Sequence, residues 1–270
     1  MLHRIFRSFR KASIVSKNIL LNKFDCPAII LIYHRVTSLE NDPQLLAVSP
    51  ANFYDQVKYL KETFPVLRFE DDWSDIKKPS VVITFDDGYA DNAREALPIL
   101  EELEVPATFF ISTGSIGRRQ EFWWDELERL ILGEWCFETS FELGKVWPTN
   151  TVDDRLNMYK EIHPLVKKMD SARRDELLER LRVWAHADDT ARPTHWPMTL
   201  EELQSLSQSP WATVGAHTVT HTPLSSLSNM LQSKEIVDSK KQLEEWLAKE
   251  ITVFSYPFGG TCDYTHDTVE

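Results

Sequence analysis

Cysteine is scarce in this chain of 270 residues, which contains only three. Cys26, Cys136 and Cys262 are too few and too scattered for a disulfide framework, and none belongs to a Cys-x-x-Cys pair. The pattern therefore argues against a thiolate metal site. An odd number of cysteines is typical of a reducing compartment, so we expect a cytoplasmic protein.

The chain also lacks an excess of basic residues. Its formal net charge of −12 argues against nucleic acid as a partner, because a surface that binds nucleic acid is normally basic. A hydrophobic content of 42% suits a soluble domain with a real core. The length allows one large domain or two small ones, and a single α/β barrel commonly takes about 250 residues.

Long apolar runs are missing from the N-terminal segment, residues 1–23, so it predicts neither a signal peptide nor a membrane span. The segment contains six lysine and arginine residues and no acidic residue, and its apolar residues recur at helical spacing. One interpretation is an amphipathic helix on an anionic surface, which would place the protein at the periphery of the inner membrane. The other is a solvated basic arm that folds onto the domain.

Short apolar runs rich in β-branched and aromatic residues predict strands, and helical patterns separate several of them. This alternation is typical of a parallel sheet in an α/β fold. Helices are predicted over residues 50–63, directly after Gly88, and over residues 224–247. The predicted strands cover residues 28–33, 64–67, 81–85, 105–111, 211–216 and 253–256.

The alternation stops over residues 118–200, which are charged, rich in tryptophan and mostly helical by pattern. We interpret this region as a helical insertion, which is either a lid over a site or a packing appendage without a role in substrate choice. Trp123, Trp124 and Trp196 can stack on sugar rings, although burial in a core is the better expectation for most of them.

Two adjacent carboxylates, Asp86 and Asp87, follow the strand predicted over residues 81–85, and Gly88 after them permits a sharp turn. Adjacent carboxylates repel, so both stay ionised only if a cation or a proton relieves them. One interpretation assigns one carboxylate to a metal and leaves the other as a base. The alternative is a helix cap followed by an acidic first turn.

A second polar group, His217 and His221, follows the strand predicted over residues 211–216. Histidines four residues apart lie on one side of a helical turn, from which both imidazoles can reach one ion. Two histidines and one aspartate leave a position open for water, which is typical of catalytic metal sites. His34 ends the first strand, and a single histidine there is by default more often structural than catalytic.

These motifs resemble those of the polysaccharide deacetylases, the carbohydrate esterase group with the chitooligosaccharide-deacetylase (NodB) homology domain. The resemblance covers roughly residues 28–265. It implies that residues 24–270 form one deacetylase domain, a distorted and incomplete (β/α) barrel of the TIM-barrel-like type that carries the helical insertion. The motifs that match are Thr84-Phe85-Asp86-Asp87-Gly88-Tyr89 and His217-Thr218-Val219-Thr220-His221.

The resemblance also implies a role for each matching residue. Asp86 is the expected general base, and the expected metal ligands are Asp87, His217 and His221. The metal is expected to be Zn²⁺, with Ni²⁺, Co²⁺ or Fe²⁺ as alternatives. The backbone N–H of Phe258 is expected in the oxyanion hole, with Tyr89 and Pro257 in the wall of the site. The expected substrate is a glycan containing N-acetylhexosamine, which loses its N-acetyl groups as acetate.

The sequence departs from the family pattern in two places. Ser255 stands where the family usually has an arginine that helps to orient the base, although the following Tyr-Pro-Phe-Gly resembles a branch acting on poly-N-acetylglucosamine and other exopolysaccharides. The late Leu-x-His motif of the family is absent, and in that branch a Tyr-His pattern near the N-terminus supplies the histidine. Tyr33-His34 matches this pattern, so the resemblance makes His34 the expected general acid. The absent motifs also lead us to expect a chain truncated at its C-terminus.

Two other functions stay open at this point. One is another metal-dependent amidase or hydrolase with the same constellation of residues. The other is a catalytically weak, membrane-associated component of a polysaccharide assembly system, which the missing arginine and the early stop favour. The intact set of Asp86, Asp87, His217 and His221 argues against it.

Overall fold

The computed structural model describes residues 26–134 and 140–270 of the chain. The N-terminal segment, with its two interpretations, lies outside the described residues, as does Cys136. Within the described residues, no helix is both long enough and apolar enough to cross a membrane.

A five-stranded parallel sheet organises the described part of the chain. The strands are β1 (Ala28–Tyr33), β2 (Arg35–Val36), β3 (Ala47–Val48), β4 (Val66–Leu67), β5 (Ser80–Phe85), β6 (Ala107–Ile111), β7 (Ser140–Glu142), β8 (Val146–Pro148) and β9 (Ala212–Ala216). Five of the nine described strands, β1, β4, β5, β6 and β9, form this sheet, while β2 pairs with β3 and β7 pairs with β8. The main sheet follows the order β1-β5-β6-β9. β1 pairs along the whole of β5, while β4 and β6 pair with its beginning and its end. The prediction of an α/β fold with a parallel sheet is confirmed.

Helices connect the strands and form most of the region between β6 and β9. They are α1 (Pro50–Thr63), α2 (Leu97–Glu102), α3 (Trp123–Leu132), α4 (Val152–Lys167), α5 (Ser171–Ala185), α6 (Leu200–Gln208), α7 (Asn229–Leu247) and α8 (His266–Val269). A π-helical turn, Asn92–Ala96, leads into α2. Helix α7 begins at Asn229, later than predicted, because residues Leu224–Ser226 form a short 3-10 turn instead.

Helix α1 illustrates how the local sequence sets these boundaries. The Ser49 hydroxyl accepts a hydrogen bond from the backbone N–H of Asn52, which satisfies one of the unpaired donors at the helix start. Pro50 suits the first turn because its missing N–H is not needed there. Phe53 and Val57 lie on one face of α1 and are fully buried in the core that covers the sheet.

The sheet is open within the described residues, and its end strands are β1 and β9. The strand predicted over residues 253–256 is reduced to a single parallel bridge between Ala216 and Phe254. β1 borders β5 on one side, and Ile29 and Ile32 of β1 are 50% and 60% exposed. The described strands therefore show a parallel sheet without a closed barrel.

Two hydrophobic cores stabilise this arrangement. The first packs the strands against α1, α2, α6 and α7, and Ile83, Phe85 and Phe109 are fully buried in it. The second lies within the predicted insertion, where α3, α4 and α5 pack together with the hairpin β7–β8, which was not predicted. Trp123 and Trp124 are buried in this second core, as expected from their size and apolar character.

Candidate active site

The carboxyl ends of β5, β6 and β9 lie side by side, and polar residues follow each of them. Asp86 and Asp87 follow β5, and His217 follows β9. Together with His221 and His34, they line one cavity of about 370 Å³. The structure therefore brings together the two acidic residues and the three histidines that were singled out in the sequence.

Asp87, His217 and His221 form a buried cluster whose ligand atoms lie within 4.8 Å of one another. Asp87 Oδ1 is 3.1 Å from His221 Nε2 and 3.6 Å from His217 Nε2. The same oxygen is buried without a hydrogen-bond partner in the described part of the chain. One carboxylate oxygen and two imidazole nitrogens that converge in this way fit a divalent cation such as Zn²⁺, with room left for water.

The orientation of His217 is set by the backbone of Ser255. His217 Nδ1 lies 2.9 Å from the carbonyl oxygen of Ser255. A carbonyl oxygen can only accept, so Nδ1 donates this hydrogen bond and Nε2 keeps its lone pair for a metal. Ser255 therefore contributes to the site through its backbone, which does not depend on its side chain.

The two ligand loops are joined by Ser112, which follows β6 and is fully buried. Its backbone N–H donates to the carbonyl oxygen of Asp87 at 3.2 Å, and its hydroxyl donates to the carbonyl oxygen of His217 at 3.0 Å. Asp87 itself has a φ of 75°, a left-handed conformation that is uncommon for residues other than glycine. Strained backbone of this kind clusters at functional sites.

The histidine loop corrects one prediction, because His217 and His221 do not lie on a helical turn. Thr218 and His221 have left-handed backbones, with φ of 64° and 51°, and these break any helical path. Helix α7 holds the loop through Glu235, whose carboxylate accepts hydrogen bonds from the backbone N–H groups of Val219 and Thr220, both at 2.9 Å. The imidazoles still converge, but through this loop.

Only glycine fits at position 114, which lies beside the histidine loop. Gly114 N donates to the carbonyl oxygen of Val219 at 2.8 Å. A Cβ atom on Gly114 would lie only 2.5 Å from that oxygen, so any other residue would push the two segments apart.

The electrostatic environment shifts the pKa values of the two aspartates in opposite directions. Burial raises the pKa of Asp86 above its usual range, although His217 opposes the shift. Burial also disfavours ionised Asp87, but His221 and His217 outweigh it and hold the pKa of Asp87 well below its usual range. Asp87 is therefore the better ligand for a cation, and Asp86 is the better acceptor for a proton.

His34 is held at the cavity by the segment that follows Asp87. Its carbonyl oxygen accepts a hydrogen bond from Asn92 Nδ2 at 2.8 Å. The neighbouring Arg35 is 1% exposed, and its Nη2 forms an ion pair of 3.1 Å with Asp91. Asp91 and Asn92, which follow the turn after the aspartate pair, thus fix the strand end that carries His34.

The remaining predicted wall residues divide into two groups. Phe258 lines the cavity, and its ring lies 4.7 Å from that of His221. Its backbone N–H has no hydrogen-bond partner within the described residues, and its φ of 65° is left-handed. Tyr89 and Pro257 are buried and do not line the cavity. Tyr89 belongs to the core of the insertion instead, where its ring packs against that of Phe122.

A buried chain of hydrogen bonds behind His221 was not predicted from the sequence. The Tyr89 hydroxyl donates to Asp125 Oδ2 at 2.7 Å and accepts from Trp124 Nε1 at 2.6 Å. The Trp124 ring then lies 4.7 Å from the His221 ring. Helix α3 of the insertion therefore supports a predicted metal ligand. The only local signal for such a role is the adjacent pair Trp124-Asp125, and only the folded chain brings this pair to Tyr89.

Comparison with known proteins agrees with this geometry. The family model described as polysaccharide deacetylase matches residues 74–135 and 183–270, more than half of the chain. The match leaves out residues 1–73, which include His34, and residues 136–182, which contain the hairpin, helix α4 and most of α5.

Individual relatives are more distant. The Bacillus subtilis (strain 168) protein named "Putative polysaccharide deacetylase YxkH" is 23% identical over 243 residues, which are 85% of this chain and 56% of that protein. The chain thus spans about half the length of this curated relative.

Solved structures resemble the fold. IcaB from Ammonifex degensii gives a TM-score of 0.55 at 17% identity, with 91% of this chain and 78% of IcaB covered. The polysaccharide deacetylase BC0361 from Bacillus cereus gives a TM-score of 0.52 at 20% identity, with 87% of this chain and 52% of that chain covered. The family match spans the aspartate pair and the histidine loop, and the chain belongs to the polysaccharide deacetylase family.

Proposed function

We propose that this protein is a metal-dependent hydrolase that removes N-acetyl groups from a glycan containing N-acetylhexosamine. The observation that carries the proposal is the buried cluster of Asp87, His217 and His221 in one cavity with Asp86. Membership of the polysaccharide deacetylase family supports it. The cluster suits a divalent cation, for which we propose Zn²⁺, with Ni²⁺, Co²⁺ or Fe²⁺ as alternatives.

Asp86 acts as the general base in this account. A divalent cation held by Asp87, His217 and His221 would acidify water and polarise the acetyl carbonyl. Asp86 lines the same cavity and accepts the proton of the attacking water. Its burial supports this role, because a raised pKa brings a carboxylate closer to the range in which a base operates.

Phe258 and His34 serve the later part of the reaction. The backbone N–H of Phe258, which has no hydrogen-bond partner among the described residues, stabilises the negative charge on the carbonyl oxygen after water attacks. His34 then donates a proton to the departing amine, which is a poor leaving group without it. The water adds to the acyl carbon, the C–N bond breaks, and the products are acetate and a free amino sugar.

The finer assignment is to the branch that acts on poly-N-acetylglucosamine and related exopolysaccharides. Tyr33-His34 and Tyr256-Pro257-Phe258-Gly259 support this assignment by their resemblance to that branch. We also propose that the open sheet is a distorted, incomplete barrel, since the catalytic candidates follow the carboxyl ends of parallel strands.

The catalytically weak component of an assembly system is the second candidate function. The observation that favours it is Ser255 in place of the usual arginine, which leaves Asp86 without that partner. Metal content separates the two functions, because a degenerate site would bind no stoichiometric cation.

An acetate assay tests the proposal. The full chain is stripped with a chelator, reloaded with single metals and incubated with N-acetylhexosamine oligomers of graded length. We expect acetate and free amine in equal amounts from the reloaded protein and neither from the stripped protein. Absence of acetate from every oligomer would contradict the proposal. Release from simple amides but not from sugars would favour a different amidase.

The N-terminal segment is the basis for a proposal about location. Its six lysine and arginine residues suit peripheral contact of a cytoplasmic protein with an anionic membrane. Binding should then require anionic lipid in liposomes and should weaken as salt increases. Equal binding to neutral and anionic liposomes would contradict it.

A further inference from the structure

A second cleft of about 610 Å³ lies beside the candidate active site. Trp124 and His221 line both the cleft and the metal-site cavity, so the two spaces are neighbours. A volume of this size is in the usual range for small-ligand sites. A glycan with one sugar at the metal site would therefore bring its next sugar into or over this cleft.

The insertion builds one wall of the cleft. Arg174, Asp175 and Arg182 of α5 face a second wall that is formed by residues between Gly114 and Arg129. These α5 residues fall within 136–182, which the family model leaves unmatched. The cleft is thus a feature added by the insertion to the part of the chain that carries the family motifs.

Charged residues of both signs line the cleft, but most of the acidic ones are already paired. Glu121 pairs with Arg129, and Glu126 pairs with Arg129 and Arg182. Arg182 also pairs with Glu179 and lies 3.6 Å from Asp189. Asp175 is the one lining carboxylate in the described residues that forms no ion pair, and it is exposed.

Three arginines of the cleft form no ion pair with any described residue: Arg118, Arg119 and Arg174. Arg118 and Arg119 are exposed at the mouth, and Arg119 lies over the Trp196 ring at 5.8 Å. The cleft therefore offers more unpaired positive charge than unpaired negative charge, although the whole chain is acidic.

Arg174 is the unusual member of this group because only 5% of it is exposed. Its guanidinium lies 4.9 Å from the centre of the Trp123 ring, and its Nη2 donates to the carbonyl oxygen of Met169 at 3.1 Å. Its Nε is buried without a partner, and Nη1 makes no hydrogen bond within the described residues. Burial lowers the pKa of Arg174 below its usual range, and the negative charges of Asp175 and Asp170 offset this cost only in part. An anion bound directly to the guanidinium would relieve the remaining cost.

We propose that this cleft binds an acidic group of the glycan, a carboxylate or a phosphate, on a sugar next to the one that is deacetylated. Arginine is well suited to both anions because its planar guanidinium presents several donors. Arg174 anchors the group, and Arg118 and Arg119 attract it at the mouth. The inference rests on the proposed function and specifies the substrate class.

The experiment compares three oligomers of equal length: a neutral N-acetylhexosamine oligomer, one with a uronate neighbour and one with a phosphate ester. Equilibrium binding and acetate release are both measured for the full chain. We expect the acidic oligomers to bind about 10–100-fold more tightly, the range for a hydrogen-bonded charged group. The uronate and phosphate arms identify which anion is preferred.

Arg174→Gln should remove most of this preference, with a much smaller effect on the neutral oligomer. Arg173→Gln is the matched control, because this neighbour on α5 is exposed and does not line the cleft. If Arg174→Gln fails to fold, the exposed pair Arg118→Gln and Arg119→Gln should still reduce the preference and its sensitivity to salt.

Equal binding of neutral and acidic oligomers by the parent protein would overturn the inference. So would an equal loss of both in Arg174→Gln. Because binding and acetate release are measured separately, tight and selective binding without acetate release would contradict the proposed function while supporting the cleft. Acetate release without selective binding of the acidic oligomers would contradict only the proposed role of the cleft.

Discussion

The Nζ atom of Lys167 lies 2.7 Å from Asp263 Oδ1. The same Nζ lies 4.0 Å from the centre of the Phe258 ring, which in turn contacts His221. Asp263 Oδ2 also accepts a hydrogen bond from the backbone N–H of Gly260. The end of α4, in the insertion, thus fastens the loop whose backbone N–H is the proposed oxyanion donor.

Lys167→Met should therefore lower kcat more than it raises KM, because the Phe258 loop loses its fixed position. Complete removal of one oxyanion donor typically costs about 10²–10³-fold, so we expect a smaller loss of about 10-fold for this indirect change. Lys167→Arg should restore part of the rate. The control is Lys168→Met, at the adjacent exposed position. Unchanged kcat in Lys167→Met would mean that the contact only stabilises the fold.

His217→Ala should lose most of the bound metal, because it removes one of three protein ligands. Elemental analysis of the purified protein after dialysis against the chosen metal measures the change. His186→Asn is the matched control, since His186 is exposed at the end of α5 and does not line the cavity. Full occupancy in His217→Ala would rule out this set of ligands.

His34→Ala should depress amide hydrolysis by about 10²–10⁴-fold and leave metal content unchanged, as expected for loss of a general acid. A good leaving group does not need the proton. The variant should therefore lose much less activity on an activated acetate ester than on an N-acetyl sugar. Equal losses on both substrates would make His34 a structural residue.

The buried carboxyl group of Asp125 predicts how the free energy of unfolding depends on pH. Burial raises the pKa of its carboxyl group from 3.8 to about 7, although Arg35 opposes the shift. Between these values the folded state keeps a proton that the unfolded state releases, so the parent loses stability as pH rises, by about 1.4 kcal/mol per pH unit for this group. Asp125→Asn removes the titration and still offers an acceptor to Tyr89.

The stability of Asp125→Asn relative to the parent should therefore increase from pH 4 to pH 7 and then level off. Urea unfolding of both proteins at several pH values measures the difference. Asp75→Asn, on an exposed aspartate, is the control. A difference that does not change with pH would mean that Asp125 is not protonated in the folded protein at pH 5–6.

Much of the site was predictable because it depends on strand ends. Strand β5 is rich in β-branched and aromatic residues, and β9 consists mostly of small ones. The pair Asp86-Asp87 follows β5 and His217 follows β9, so their proximity is predicted once the sheet is parallel. The helical turn predicted for His217 and His221 was wrong. Its actual shape depends on Glu235, which lies on α7 and is distant in sequence, so local spacing does not reveal it.

The support that the insertion gives to the site could not be predicted from local sequence patterns either. Trp124, Asp125 and Lys167 look like ordinary amphipathic helix residues in the sequence. Their roles arise because α3 and α4 pack beside the carboxyl ends of the strands, where they meet His221 and the Phe258 loop. Side-chain contacts between distant segments decide such roles, whereas propensity and periodicity describe only one segment at a time.

The most direct test of the central claim is the rate of acetate release by Asp86→Asn, measured on protein with the same metal content as the parent. Asparagine keeps the shape of the side chain but does not accept the proton of water at neutral pH. We predict full metal occupancy and a rate about 10²–10⁴-fold below that of the parent. A rate within a few-fold of the parent at equal metal content would contradict Asp86 as the base.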